Sequence, residues 1–133
     1  MNKKFLKKII ARSPSDIQII SACCSEAKVK SIDIKYLPKT KIFLLSVERL
    51  NKELNNYKEN KLNSIIKFEF IDSSKSKNID QSDSDLILEL LAIDLIKRDH
   101  NYEISLLFSK NGFITLTAEV IEVTLEDQKE IND

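Results

Sequence analysis

The sequence predicts an α+β fold in which one N-terminal helix packs on a curved, mostly antiparallel sheet or open barrel of about six to seven strands. Three observations predict this fold. A helix-capping pair, Ser13-Pro14, stands near the N-terminus, apolar and polar residues alternate through several later segments, and Lys110-Asn111-Gly112 is typical of a hairpin loop. We therefore expect a short strand, then the helix, and then the antiparallel strands.

The first two elements are a strand and a helix. Residues 5–11 have the apolar character of a short strand. Ser13 can cap the following helix, and Pro14 supplies a first helical residue whose φ is already set and which has no surplus N–H. Apolar residues recur at three- and four-residue steps from position 17 to position 27. This spacing predicts one buried stripe on a helix that ends near Lys28.

A first hairpin is predicted around Pro38. Apolar and polar residues alternate over 32–36, and residues 37–40 provide a turn in which proline takes the position that needs a φ of about −65°. Pairing about this turn sets Ile34 opposite Phe43.

The middle of the chain combines polar segments with strands. Residues 51–63 are rich in Asn and Lys, so we expect an exposed loop or a frayed helical turn there. Residues 66–70 alternate as a half-buried strand does, and 73–85 is a polar connection. The apolar run 86–96 can be a helix or a strand. Its continuity and the hairpin that follows favour a central strand buried on both faces.

The C-terminal hairpin has the most informative local pattern. A three-residue loop over 110–112, with Gly112 in the left-handed conformation, sets Phe108 opposite Ile114. This register sorts apolar and polar side chains onto separate faces, whereas a two-residue loop mixes them.

Composition excludes several classes of function. Lys plus Arg (21) equals Asp plus Glu (21), and a net charge of zero is unlike a dedicated nucleic-acid binder. One glycine cannot build a phosphate-binding loop, because several residues without Cβ are needed to bring backbone N–H groups close to a phosphate. Two cysteines and one histidine are too few for a structural zinc site. We expect no cofactor and no bound metal.

The length of 133 residues predicts a single domain over 1–133, with its core over 5–127. The N-terminal end, 1–12, carries five basic residues and no acidic one, whereas 119–133 carries six acidic residues against one lysine. No secretory signal and no apolar run of membrane-spanning length is recognisable. We therefore expect a cytoplasmic protein with no membrane partner and with free thiols at both cysteines.

Three acidic residues with an intervening serine form the clearest polar cluster: Asp80, Ser82, Asp83 and Asp85. A calcium site is one interpretation, because hard cations take several carboxylate oxygens from one short loop. An EF-type loop beginning at Asp80 would, however, place Asp85 where glycine is needed. A turn satisfied by its own side chains is therefore favoured, and Asp80, Ser82 and Asp83 remain a candidate polar site.

The remaining residues with chemical potential have ordinary structural explanations. His100 lies between two predicted strands with no nucleophile or orienting acid in a recognisable pattern, so we expect a surface residue. Cys23 and Cys24 lie away from the helix N-terminus that would activate a thiolate. At most one of them can point fully into the core, because adjacent helical residues differ by about 100°.

Several strings also carry a family resemblance: SDIQIISACCSEAKV, DIKYLPKTKIFLLSVERLN, NIDQSDSDLILELLAIDL and ITLTAEVIEVTLED. Over about 5–127 the chain resembles the uncharacterised alphaproteobacterial family called domain of unknown function 2948. The most specific strings are Ile-Ser-Ala at 20–22 and Tyr-Leu-Pro at 36–38. The resemblance implies a small bacterial cytoplasmic domain, with no established activity, cofactor or catalytic set to carry over.

The leading hypothesis is a non-enzymatic binding or adaptor module with a protein partner, because no nucleophile, base or metal constellation is recognisable. The candidate interaction surface carries Tyr36, Pro38 and Arg49, which offer an exposed aromatic ring, a rigid turn and one of only three arginines. One alternative is a ligand-binding or enzymatic barrel with Asp80 or Asp83 near a pocket. Another is RNA association through the basic N-terminal end. The sequence does not predict the oligomeric state.

Overall fold

A computed structural model of the protein describes residues 6–50 and 61–128. These residues form one α-helix, one short 3₁₀ helix and ten strands. In chain order the elements are β1 (Lys8–Ala11), α1 (Pro14–Cys23), β2 (Ala27–Lys30), the 3₁₀ helix (Ser31–Asp33), β3 (Ile34–Leu37), β4 (Ile42–Leu50), β5 (Lys61–Phe68), β6 (Ile71–Lys77), β7 (Ile87–Lys97), β8 (Tyr102–Phe108), β9 (Phe113–Ala118) and β10 (Val123–Asp127). The predicted class, one helix on an antiparallel sheet, is confirmed.

The ten strands form one sheet in the order β1-β10-β5-β4-β2-β7-β8-β9-β6, with β3 pairing beside β4. Every pairing is antiparallel. One edge of β4 is therefore shared. Its first half pairs with β3, and its second half meets β2 only at Lys28 and Glu48.

The sheet curls strongly but stays open. β5 and β6 stand far apart in the strand order, yet only Glu69 and Phe70 connect them. Phe70 makes the corner with a left-handed φ of 61°, and the Ile71 N–H then donates to the Lys41 carbonyl at 2.8 Å. This bond brings the start of β6 against the start of β4. Among the described residues β3 and β6 do not pair, so the sheet does not close there.

Helix α1 begins as the sequence predicts. The Ser13 hydroxyl accepts the Asp16 N–H at 3.3 Å, and Pro14 is the first helical residue. Ile17 and Ile20 face the core and are fully buried. The helix ends earlier than the predicted boundary near Lys28, because the chain turns after Cys23 and continues as β2.

The apolar core lies between α1 and the inner face of the curled sheet. Its members come from alternate positions of the strands, as a sheet with one buried face requires. Phe43 of β4 and Phe68 of β5 meet edge to face, with ring centroids 5.8 Å apart. The core therefore joins neighbouring strands across the sheet as well as the helix to the sheet.

The predicted number of strands, six to seven, is wrong, because ten are present in the described part of the chain. β2 occupies residues assigned to the end of the helix, and β6 occupies part of the predicted polar connection 73–85. β6 was hidden from the sequence pattern because its inward-facing positions after Ile71 are the serines Ser74 and Ser76 rather than apolar residues.

The first hairpin forms with a register two residues away from the predicted one. Ile34 pairs with Leu45 instead of Phe43. The turn is tightened by a hydrogen bond of 3.3 Å from the Lys41 N–H to the Pro38 carbonyl, and Lys41 takes a left-handed φ of 58°. A shift of two residues keeps each side chain on its predicted face.

The C-terminal hairpin shows the same kind of shift. Its three-residue loop is 109–111 rather than 110–112, because the Phe108 N–H donates to the Gly112 carbonyl at 2.8 Å. The left-handed residues are Lys110 and Asn111, with φ of 62° and 60°, and not Gly112 as predicted. Gly112 is required for a different reason, since a Cβ on it would lie 2.9 Å from Cγ1 of Ile79.

The apolar run 86–96 forms the strand β7, but the expectation that both faces are buried is wrong. Leu88 and Leu90 are buried, whereas Ile87, Leu91 and Ile96 are about half exposed. The reason is that α1 packs on the inner face, and no described element covers the outer one. Of the predicted loop 51–63, residues 51–60 lie outside the described residues, and 61–63 belong to β5.

Candidate functional site

The predicted interaction surface of Tyr36, Pro38 and Arg49 does not form one exposed patch. Pro38 is exposed, and Tyr36 is half-buried with its hydroxyl donating to the Ile71 carbonyl at 2.8 Å. Arg49 is 2% exposed, which corrects the expectation that it lies on the surface. The alternation of β4 carried the signal, because Arg49 is two residues beyond the buried Val47 and shares its inward face.

Arg49 belongs to a buried polar cluster that sequence reasoning missed, here called the Arg49 cluster and formed by Arg49, Ser64, Asp127 and the backbone of Lys7. The guanidinium binds the Asp127 carboxylate in bidentate fashion, through Nε at 3.0 Å and Nη2 at 2.8 Å. The Ser64 hydroxyl donates to the same carboxylate at 2.6 Å, and the Lys7 N–H donates at 2.9 Å. The cluster joins β4, β5 and β10 to the residue before β1.

The Arg49 cluster keeps Asp127 ionised. Burial by itself raises the pKa of Asp127, but the hydrogen bonds from Arg49, Ser64 and the Lys7 backbone, with the attraction of the guanidinium, outweigh burial and lower this pKa below its usual value. Both carboxylate oxygens already accept two donors each. The carboxylate is therefore engaged as an acceptor and joins strands, and its arrangement does not suit it to take a proton from a substrate.

The candidate polar site at Asp80, Ser82 and Asp83 forms a pair of side-chain turns. Asp80 Oδ1 accepts the Ser82 N–H at 3.1 Å and its hydroxyl at 2.5 Å, and Asp83 Oδ1 accepts the Asp85 N–H at 3.0 Å. The hydrogen bonds from Ser82 lower the pKa of Asp80. Across residues 6–50 and 61–128, no three or more His, Cys, Asp or Glu side chains are grouped so that they could hold a metal ion.

Two other predictions concern single residues. His100 is exposed, and Cys24 is buried while Cys23 is half-buried, with both thiols outside any disulfide.

Residues 1–5 of the basic N-terminal end lie outside the described residues. Lys8 stands opposite Glu126 in the register of β1 and β10. RNA association through this end stays a prediction.

The gap in the sheet forms a small cavity, here called the β3–β6 opening, of about 190 Å³. Its rim carries polar side chains from both strands and from the loop after β6. Its floor consists of core residues. In full, the lining residues are Ile34, Tyr36, Phe43, Ser74, Ser76, Gln81 and Ile114. The lining thus includes Tyr36 of the predicted surface and Gln81 of the predicted polar segment. It does not include Pro38, Arg49, Asp80, Ser82 or Asp83.

The free edge of β6 follows from the pairing of its neighbours. Along an antiparallel pair of strands, opposite residues alternate between pairs that form N–H···O=C hydrogen bonds with each other and pairs that do not. Successive residues of one strand therefore direct their N–H and C=O groups to opposite edges of that strand. The bond from Phe108 to Gly112 means that even-numbered residues of β9 bond to β8, and odd-numbered ones to β6. Their partners on β6 are also odd-numbered. Ser74 and Ser76 therefore direct their backbone N–H and C=O groups toward the β3–β6 opening.

The same reasoning locates the free edge of β3. The Gln128 N–H donates to the Asn63 carbonyl at 2.8 Å, so odd-numbered residues of β5 bond to β10 and even-numbered residues of β5 bond to β4. The β4 partners of these even-numbered residues are odd-numbered. Even-numbered residues of β4 therefore direct their backbone groups to the edge of β4 that lies away from β5. On β3 their partners are Lys35 and Leu37. The Tyr36 backbone consequently points away from β4. The β3–β6 opening is bounded by two strand edges whose backbone groups have no strand partner among the described residues.

The fold and these sites define an α+β protein with an open antiparallel sheet, a buried bidentate ion pair and a gap between two strand edges. The chain belongs to the family described as Protein of unknown function (DUF2948), whose model matches residues 7–132. This match confirms the family inferred from the sequence, although not its alphaproteobacterial origin.

The crystal structure of an uncharacterized protein from Neisseria gonorrhoeae is similar at 18% identity and a TM-score of 0.44, over 90% of this chain and 97% of that chain. No protein of curated function matches the sequence. Within the described residues, the helices are too short or too polar to cross a membrane.

Proposed function

We propose that the protein is a non-enzymatic binding module that takes up an extended segment of a partner protein as an added strand in the β3–β6 opening. The observation that carries the proposal is the pair of facing strand edges. Tyr36 on one side and Ser74 and Ser76 on the other direct backbone N–H and C=O groups into one gap. Strand addition uses such groups for affinity and alternate side chains for specificity.

The dimensions of the opening favour a peptide over a whole cofactor. Small-molecule sites measure about 300–1,000 Å³, whereas the β3–β6 opening measures about 190 Å³. This volume suits one or two side chains of an extended segment. The floor of Ile34, Phe43 and Ile114 is apolar, and Ser74 and Ser76 add hydroxyl groups beside it. We expect small or medium apolar side chains, or threonine, at the inward positions of the segment.

Charge predicts the outward positions of the same segment. The residues that flank the gap on the outer face are Lys35 of β3 and Lys75 and Lys77 of β6, all of them exposed. Opposite charges across neighbouring strands stabilise pairing, and exposed edge lysines oppose pairing between identical copies. The segment that fits best therefore alternates small apolar residues with acidic ones.

In the experiment, the immobilised full chain selects binding peptides from a displayed library of random seven-residue segments. Their affinities are then measured by fluorescence anisotropy for the wild type, Ser76→Pro and Ser76→Ala. Proline removes the N–H that faces the opening but no bond to β9, so the sheet is expected to remain paired. Ser76→Ala is the matched control, since it keeps the N–H and loses only the hydroxyl.

The expected result is selection of alternating apolar and acidic peptides that bind Ser76→Pro at least tenfold more weakly, since a proline at this edge removes a backbone bond. Binding to Ser76→Ala should change less. Circular dichroism of both variants confirms that they fold. Equal affinity for the wild type and Ser76→Pro, or a library that yields no binder, overturns the proposal.

A further inference from the structure

A second depression, here called the corner depression, lies where two connections of the sheet run side by side. Glu69 and Phe70 join β5 to β6, and residues 119–122 join β9 to β10. The Glu69 N–H donates to the Glu122 carbonyl at 2.9 Å, which holds the two connections together. The corner depression measures about 400 Å³. Its lining residues are Lys41, Phe70, Asp72, Glu119 and Val120, none of which lines the β3–β6 opening.

Phe70 is the largest apolar side chain of this surface. Ile66 and Phe68, the preceding even-numbered residues, are buried, whereas Phe70 is 49% exposed. The difference follows from its left-handed φ of 61°, which turns the chain out of the alternation of β5 before Ile71 enters the core. The other left-handed residues in the described part of the chain are all polar. An aromatic ring is thus held on the surface at a kind of position that usually carries glycine or a polar residue.

The backbone that carries Phe70 is fixed on both sides. The residue before it bonds to Glu122, and the residue after it, Ile71, donates its N–H to the Lys41 carbonyl at 2.8 Å. Val120, also 49% exposed, lines the same depression. Apolar side chains on a fixed backbone lose little conformational freedom when a partner covers them, so their burial contributes to affinity at a low entropic cost.

The charges around these two apolar side chains are unbalanced toward the acidic side. Lys41 Nζ binds Asp72 Oδ1 at 2.9 Å, so one ammonium group and one carboxylate balance each other. The hydrogen bond and the charge of Asp72 raise the pKa of Lys41, and the charge of the nearby Glu119 adds to the effect. Glu119 itself forms no ion pair within residues 6–50 and 61–128. The corner depression therefore has one carboxylate more than it has ammonium groups.

We propose that the corner depression docks a basic segment of a partner protein through an arginine side chain. The guanidinium of this arginine stacks on the Phe70 ring and donates to the Glu119 carboxylate, and an apolar neighbour in the segment packs on Val120. Arginine fits better than lysine, because its planar group can stack on a ring and pair with a carboxylate at the same time. The segment is opposite in charge to the acidic one proposed for the β3–β6 opening.

The ion pairs of the chain favour a different protein over a second copy as the occupant. All three arginines of the chain already bind carboxylates within one copy: Arg12 binds Glu122, Arg49 binds Asp127, and Arg98 binds Glu103. A second copy would have to break one of these pairs to supply an arginine. A segment of another protein supplies its arginine without that loss.

The test uses peptides selected for this surface. A displayed library of random seven-residue segments is first depleted on the immobilised Glu119→Lys chain and then selected on the immobilised wild type. The affinities of the recovered peptides are measured by fluorescence anisotropy for the wild type, Glu119→Lys and Phe70→Ala. Asp94→Lys and Leu91→Ala are the matched controls, because both residues are exposed on β7 and neither lines the corner depression.

The recovered peptides are expected to contain arginine next to an apolar residue. They should bind Glu119→Lys and Phe70→Ala roughly tenfold more weakly than the wild type, because each change removes a central contact of the docked arginine. Asp94→Lys and Leu91→Ala should bind them as the wild type does. Circular dichroism confirms that all four variants fold.

Four outcomes overturn the inference. The first two are a library that yields no arginine-containing binder and equal affinity of the peptides for the wild type and Phe70→Ala. The third is sedimentation of the wild type as a dimer that Phe70→Ala converts into a monomer, since a second copy would then occupy the corner depression. The fourth is weaker binding of these peptides to Ser76→Pro, which would place them in the β3–β6 opening. This last variant also distinguishes a failure of the present inference from a failure of the proposed function.

Discussion

Replacing Asp127 by Asn should destabilise the protein, because the change removes the carboxylate that Arg49 binds inside the core. The side chains of the pair are 1% and 0% exposed, so water cannot substitute for the lost charge. An amide keeps the shape of the carboxylate, but its NH₂ group replaces one acceptor oxygen, so it loses either the bonds from Arg49 Nε and Ser64 or those from Arg49 Nη2 and the Lys7 N–H. The variant therefore tests charge and hydrogen bonding with little change in packing.

The magnitude follows from burial. Removing one partner of a buried ion pair costs about 3–5 kcal/mol, and an amide that retains one acceptor belongs at the lower end, about 3 kcal/mol. A protein of this size loses roughly 3–5 °C in Tm per kcal/mol, so Asp127→Asn should melt about 10–15 °C below the wild type. Urea unfolding at pH 7 measures the free energy directly.

The pH dependence gives a second readout. The folded pKa of Asp127 is lowered, whereas the unfolded carboxyl titrates near its usual value of about 3.9. The stabilisation is therefore complete above that value and is lost as pH falls through the lower folded pKa. The difference in unfolding free energy between the wild type and Asp127→Asn should shrink in this acid range, because both then carry an uncharged group.

Two comparisons decide whether the reasoning holds. The exposed control Asp94→Asn should change stability by no more than about 0.5 kcal/mol. The double variant Arg49→Met with Asp127→Leu should lose less than Asp127→Asn, because apolar residues of similar volume can replace a buried pair. A loss below about 1 kcal/mol at pH 7, or a loss that is the same across the acid range, would refute the reasoning.

Three further predictions concern single contacts, each measured by urea unfolding at neutral pH. Ser13→Ala removes the N-cap of α1 and should cost about 1 kcal/mol; an unchanged midpoint would show that the cap contributes nothing. Gly112→Ala should cost about 1–2 kcal/mol through its clash with Ile79, and combining it with Ile79→Ala should cost less than the two losses together; strict additivity would argue against the clash. Tyr36→Phe removes the hydroxyl bonded to the Ile71 carbonyl and should cost about 1 kcal/mol, while a neutral effect would mean that water replaces this bond.

Local chemistry explains which parts of the fold could be predicted from the sequence. The start of α1 was predictable because Ser13 and Pro14 act within one turn of the helix. The side chains of both hairpins were assigned to the correct faces, because the alternation of apolar and polar residues fixes the face. Their registers were two residues off. The first turn depends on left-handed Lys41, and the C-terminal loop depends on left-handed Lys110 rather than on Gly112. β6 was not predicted as a strand, because an edge strand beside an opening can carry serines at inward positions where a closed sheet needs apolar residues.

The sites depend on contacts between distant residues. Alternation in β4 placed Arg49 inward, but its chemical character suggested a surface residue. Its acceptor, Asp127, lies 78 residues away, so no local pattern shows the pairing. The β3–β6 opening is a missing strand pair. A missing pair can be recognised only when the order and register of all neighbouring strands are known.

The distance along the chain between Arg49 and Asp127 also bears on how the protein reaches its fold during synthesis. β4 and β5 leave the ribosome well before β10, so a nascent chain contains the guanidinium 78 residues ahead of the carboxylate that it binds. In that interval the edge of β5 that later receives β10 is open to strands of other chains. A nascent chain that has not yet made β10 therefore exposes this edge of β5, and β10 both covers the edge and pairs with β1 when it is made.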